Sequence, residues 1–148
     1  MHAELSELFS SPGLSQDGVE DLQRRLPGLP ASYVDCVRRL DVVDMPLGDF
    51  RFSPATHPEL EALGLIEIAS AGGDSLCLER AGDGRVLWIR DEPVPREIAP
   101  SFADTLLILA RFDAAQWGDE GPVELDALVE DVELTDEQRA NLRQLLGL

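Results

Sequence analysis

Apolar residues recur along this chain with two periods, and the points where the period changes mark out its elements. Leu5, Leu8 and Phe9 keep helical spacing before a break at Ser11-Pro12-Gly13. A second helical segment runs from about Ser15 to Leu26, with Val19, Leu22 and Leu26 as its apolar stripe. Pro27-Gly28-Leu29-Pro30 stops it, and Pro30 can open the next helix, whose apolar face is Tyr33, Val34, Val37 and Leu40. Over residues 41–58 the periodicity weakens. Three prolines together with Asp41, Asp44 and Asp49 indicate an irregular segment holding at most a short strand around Phe50-Arg51-Phe52.

The middle of the chain switches to strand character. Leu65-Ile66-Glu67-Ile68-Ala69, Ser75-Leu76-Cys77-Leu78-Glu79 and Val86-Leu87-Trp88-Ile89-Arg90 are three short β-rich runs. Gly72-Gly73-Asp74 and Ala81-Gly82-Asp83-Gly84 separate them, and strands joined by such tight turns form an antiparallel sheet. Helical spacing returns after Pro93 and Pro95. Ser101 with Asp104 approximates a capping box, and Phe102, Leu106, Leu107, Ile108, Leu109, Ala110 and Phe112 make this helix apolar almost all round, so it should be buried. From Asp119 onward nine acidic residues face two arginines. Even so, Leu125, Leu128, Val129 and Val132 keep helical spacing, and Thr135-Asp136-Glu137-Gln138 is a capping box opening a last helix with Leu142, Leu145 and Leu146. The predicted fold is α+β, one domain over residues 1–148. A central, mostly antiparallel sheet is flanked by N-terminal and C-terminal helices, and residues 119–148 form an acidic amphipathic helical tail.

Composition then narrows the chemistry. A formal net charge of −17, from 29 acidic and 12 basic residues, argues against nucleic acid as a partner, because phosphate binding needs clustered cations. Every basic residue is Arg. Without Lys there is no Walker-A lysine, no Schiff-base amine, no pyridoxal-phosphate anchor and no Ser-Lys pair. Cys36 and Cys77 lie far apart with no metal-ligand spacing and read as buried apolar side chains. There are two histidines, His2 at a terminus expected to fray and His57 before a proline. Ser75 beside Gly72-Gly73-Asp74 can be read as a nucleophile with His57 as base, but there is no G-x-S-x-G elbow and turn geometry explains the glycines. No calcium-loop pattern occurs, and Asp91-Glu92 is no more specific than any other acidic pair. Trp88 and Trp117 read as core and lid residues. A mean hydropathy of −0.08, no membrane-length apolar stretch and no cationic, apolar start predict a soluble, cytoplasmic protein without membrane contact. No cofactor or metal is expected.

Three blocks carry a family resemblance. Leu29-Pro30-Ala31-Ser32-Tyr33 is similar to a Leu-Pro-x-x-Tyr at the start of an early helix. Ile68-Ala69-Ser70-Ala71-Gly72-Gly73-Asp74-Ser75-Leu76-Cys77-Leu78, followed by Gly84-Arg85-Val86-Leu87-Trp88, resembles a Gly-Gly-Asp-then-strand core. Ile98-Ala99-Pro100-Ser101-Phe102-Ala103-Asp104-Thr105-Leu106 resembles the segment that opens a late helix. In this order and spacing, over residues 15–112, the blocks resemble the SUKH superfamily, which includes yeast cell-wall-synthesis regulators and many bacterial immunity proteins. The family's Asn-Gly-Gly after the early helix is replaced here by Leu40-Asp41-Val42-Val43-Asp44-Met45-Pro46, and residues 119–148 lie outside the match.

The resemblance implies a binding role without catalysis: an immunity protein that neutralises a cognate toxin, often a nuclease, of a polymorphic toxin system. The alternative is a non-enzymatic regulatory or scaffold protein of the same fold. A nuclease is cationic where it holds phosphate, so the −17 charge independently fits a basic protein partner. The expected contact residues are acids in loops and on the exposed sheet face: Asp41, Asp44, Asp49, Asp74, Glu79, Asp91 and Glu92.

Overall fold

Three helices start where a side chain replaces the missing backbone partner of the first turn. Ser15 Oγ accepts from the Gly18 amide at 3.2 Å and opens α2, Gln16–Arg25. Ser101 Oγ accepts from the Asp104 amide at 3.1 Å and opens α5, Phe102–Gln116. The capping box at Thr135 is complete, with Gln138 returning a bond to the Thr135 amide at 2.9 Å, and it opens α7, Asp136–Leu146. The remaining helices are α1, Ala3–Leu8, α3, Ala31–Arg39, and two single turns, α4, Pro58–Glu61, and α6, Leu125–Leu128. The computed structural model describes residues 2–92, 94–118 and 121–148. The first two residues of the expected acidic tail, Asp119 and Glu120, lie outside that range.

Six strands form one sheet: β1, Pro46–Leu47, β2, Phe50–Arg51, β3, Leu65–Ala71, β4, Asp74–Glu79, β5, Val86–Ile89, and β6, Arg96–Ala99. They lie in chain order, each antiparallel to the next. The fold is therefore α+β, as expected, with helices flanking an antiparallel sheet. A meander of this kind places the β1–β2, β3–β4 and β5–β6 connections at one end of the sheet and the β2–β3 and β4–β5 connections at the other.

The sheet is wider than the hydrophobic pattern indicates. Residues 46–51 make a hairpin with a two-residue turn at Gly48 and Asp49, so the segment expected to hold at most a short strand around Phe50-Arg51-Phe52 holds that strand and a second one, and forms the sheet's first edge. The opposite edge, β6, has two charged and two apolar residues and shows little strand signal of its own. It pairs with β5 through Val86↔Ala99, Leu87↔Glu97 and Trp88↔Arg96, while α7 packs over it and Asn141 Nδ2 donates to the Glu97 carbonyl at 2.8 Å. The single turn α4 also escapes the pattern. Conversely, the helical spacing over residues 125–132 yields one turn only, and the chain leaves it through Asp131 at φ 72°.

Period-two alternation divides the sheet's residues between two faces. Ile66, Ile68, Leu76, Leu78, Val86, Trp88 and Ile98 join one apolar cluster with Leu5, Leu22, Tyr33, Val37, Phe102, Leu106, Leu125 and Leu142 from the helices. Within it Tyr33 meets the Phe102 ring edge-on, with centroids 4.7 Å apart. The other face carries a smaller cluster of Leu65, Cys77, Leu87 and Ile89, covered by Leu60 of α4. A bulge between Glu67 and Ala69 turns both Ile68 and Ala69 into the main core and leaves Glu67 on the outer face opposite Cys77.

Two glycines are dictated by geometry. A Cβ on Gly13 would lie 2.0 Å from the Val37 carbonyl oxygen, so only glycine lets the chain pass over the end of α3. There Gly13 and Leu14 donate to the Arg38 and Val37 carbonyls at 3.1 and 2.8 Å, satisfying groups that the helix end leaves open. Gly84, at φ 97°, supplies the left-handed residue that the β4–β5 connection needs.

Candidate partner-binding surface

The seven carboxylates expected to meet a partner fall into three places. Asp41, Asp44 and Asp49 belong to the β1–β2 hairpin and its approach, and all three are exposed. The Asp41 amide donates to the Ser10 carbonyl at 2.8 Å, and the Asp44 amide to the Phe52 carbonyl at 2.7 Å, so backbone bonds fix where these acids project. Asp44 has φ 65°, a conformation that Asp tolerates better than most residues. Asp74, Asp91 and Glu92 lie at the sheet end where the β3–β4 and β5–β6 connections meet, the end that also holds the Gly48–Asp49 turn. Glu79 is at the opposite end.

The groups differ in what they already hold. Asp74 Oδ1 accepts from Arg90 Nε at 2.9 Å and from the buried Trp88 Nε1 at 3.3 Å, and Arg90 stacks on the Trp88 ring. Glu79 pairs with Arg85, which also reaches Asp83 and Glu97. Asp41, Asp44, Asp49, Asp91 and Glu92 have no ion pair among the described residues. Among the described residues, eight of the twelve arginines are engaged in intramolecular ion pairs. The hairpin acids therefore offer unneutralised charge, whereas Asp74 and Glu79 serve internal contacts.

Ser75 and His57 do come together, through a residue that sequence reasoning passes over. Ser75 Oγ donates to Glu67 Oε2 at 2.8 Å, and His57 Nε2 lies 3.2 Å from Glu67 Oε1. The carboxylate therefore stands between hydroxyl and imidazole, whereas a Ser–His–acid relay places the imidazole between the other two. The Glu67 side chain is only 10% exposed. Its signal in the sequence is a charged residue inside an apolar β run, which outward parity makes look solvated. Burial, and then the Glu67 charge, push the Cys77 thiol up to about 12, and burial does the same to Cys36.

The other expectations resolve individually. His2, expected at a fraying terminus, is engaged: its Nε2 lies 2.7 Å from Asp104 Oδ1, and Ser101 Oγ donates to Asp104 Oδ2 at 2.8 Å. Asp104 thus bonds the cap hydroxyl instead of the cap amide that a longer Glu reaches. Trp88 is core, whereas Trp117 is 84% exposed and covers nothing. Leu8 also faces outward. Among the described residues, no group of three or more His, Cys, Asp or Glu side chains is arranged to hold a metal ion, and no helix is long and apolar enough to cross a membrane. No family model, curated protein or solved structure matches this chain.

Proposed function

We propose that this protein is a SUKH-type immunity protein of a bacterial polymorphic toxin system, acting in the cytoplasm by binding and occluding a basic, nuclease-type toxin and catalysing nothing itself. The observation that carries the reading is the hairpin at the sheet edge. With its approach it presents Asp41, Asp44 and Asp49, exposed and free of ion pairs among the described residues, with Asp41 and Asp44 held by backbone hydrogen bonds, in a chain of net charge −17. Such a surface attracts a cationic active-site cleft over long range and competes there with phosphate. Asp91 and Glu92 extend the same field at the adjoining sheet end.

The test pairs the protein with the toxin domain encoded beside it. Co-purification and rescue of toxin-expressing cells are expected. Replacing Asp41, Asp44 and Asp49 together by Asn, which keeps side-chain shape and suits the positive φ at residue 44, should slow association by about tenfold at low salt and flatten its salt dependence. An unchanged low-salt rate places the interface elsewhere. Absence of any neighbouring toxin, with no rescue, overturns the immunity reading in favour of a regulatory or scaffold protein.

A further inference from the structure

Between α4 and the outer face of the sheet is an open cleft of about 530 Å³, floored by Leu60 and Ile89 and edged by Asp91. Glu67 lies at its inner wall, nine-tenths buried. A carboxylate taken from water is costly unless a cation and hydrogen bonds replace its hydration. Here the hydrogen bond comes from Ser75, and the only charge partner among the described residues is His57, which is 47% exposed and charged only when protonated. Arg90 lines the same cleft, but its guanidinium is held by Asp74 and the Trp88 ring. A carboxylate offers about four lone-pair positions, and one is taken by the Ser75 hydrogen bond, with His57 near the other oxygen.

We infer that this cleft is a binding site for an alkyl cation, an arginine side chain presented by the protein partner, with Glu67 as its counter-ion. The stem of an arginine lies along Leu60 and Ile89, its guanidinium reaches Glu67 in place of the imidazole, and Asp91 adds charge at the mouth. Arginine suits the site because its planar fork can take both carboxylate oxygens together. The inference rests on the proposed function only for the source of the side chain. The chemistry of the cleft stands without it.

The test titrates the full chain with N-acetyl-arginine-methylamide, following backbone amides by ¹⁵N-resolved NMR, with N-acetyl-norleucine-methylamide as the uncharged control. Saturable shifts at residues 57, 67, 75 and 89 are expected with the arginine probe, and at least tenfold weaker binding with norleucine. Glu67→Gln should weaken the arginine probe by tenfold or more. His57→Ala, at an exposed position, should tighten it severalfold by removing the competitor, and it decides the matter if Glu67→Gln fails to fold. Equal binding of both probes, no shifts in the cleft, or weaker binding to His57→Ala would overturn the inference. Failure here leaves the hairpin and its toxin untouched, and failure of the toxin assay leaves cation binding in the cleft intact.

Discussion

Cys36 and Cys77 show how far a single position is decided by what folds over it. Both are buried, and burial pushes each thiol from its ordinary value of 9.0 up to about 12. Burial likewise raises Tyr33 above the usual tyrosine range. A raised folded-state pKa means that the native chain holds the proton more tightly. The stability this contributes is whole below about pH 9 and is lost as pH rises toward the folded values. The melting temperature should therefore fall steeply above about pH 9. A Cys36→Ala, Cys77→Ala variant should be less stable at neutral pH but lose less between about pH 8.5 and about pH 10.5 in scanning calorimetry. Parallel declines would show that the thiols contribute nothing to the alkaline limb. Burial of the cysteines was legible because free Cys is among the residue types most often fully buried. Burial of Glu67 was not, since period two sends it outward, to the face that Leu60 of α4 covers.

At the scale of elements, capping signals transferred well and long-range pairing did not. Thr135 and Gln138 carry their box in four consecutive residues, and the structure reproduces both of its bonds. Thr135→Ala should cost about 1 kcal/mol in urea unfolding, with Thr135→Ser close to neutral. A loss well below that would mean that packing of α7 on β6, rather than its cap, holds the helix start. Strands β1 and β6 illustrate the opposite case. Pro46–Leu47 is too short to carry a period, and Arg96–Ala99 alternates poorly, so each exists because a neighbouring strand offers backbone partners. Arg111 joins three elements that no local pattern connects: it donates from α5 to Glu4 of α1, to the carbonyl of Leu128 at the end of α6, and to the Glu130 carbonyl just beyond it. That pairing holds the Glu4 carboxyl below its ordinary value.

For the whole molecule, the acidic tail is the clearest instance of a segment whose role depends on the rest. Leu125, Leu128, Val129 and Leu142 enter the same cluster as the N-terminal helices. Burying four such side chains is worth about 6–12 kcal/mol, comparable with the roughly 5–15 kcal/mol that separates folded from unfolded domains. A chain ending at Gly118 should lose its cooperative thermal transition and bind a hydrophobic dye. A sharp transition in that variant would show that residues 2–118 close a core of their own. The chain's periodicity and turn chemistry determined by themselves the central antiparallel strands, the helix starts at Ser101 and Thr135, and the surplus of carboxylates, because these depend on neighbours within a few residues. Only the tertiary structure decided which carboxylates stay unpaired, how wide the sheet is, and that His57, Glu67 and Ser75 share one cleft. Those outcomes depend on where distant arginines, strand edges and the turn of α4 come to rest, and no local pattern encodes such distances.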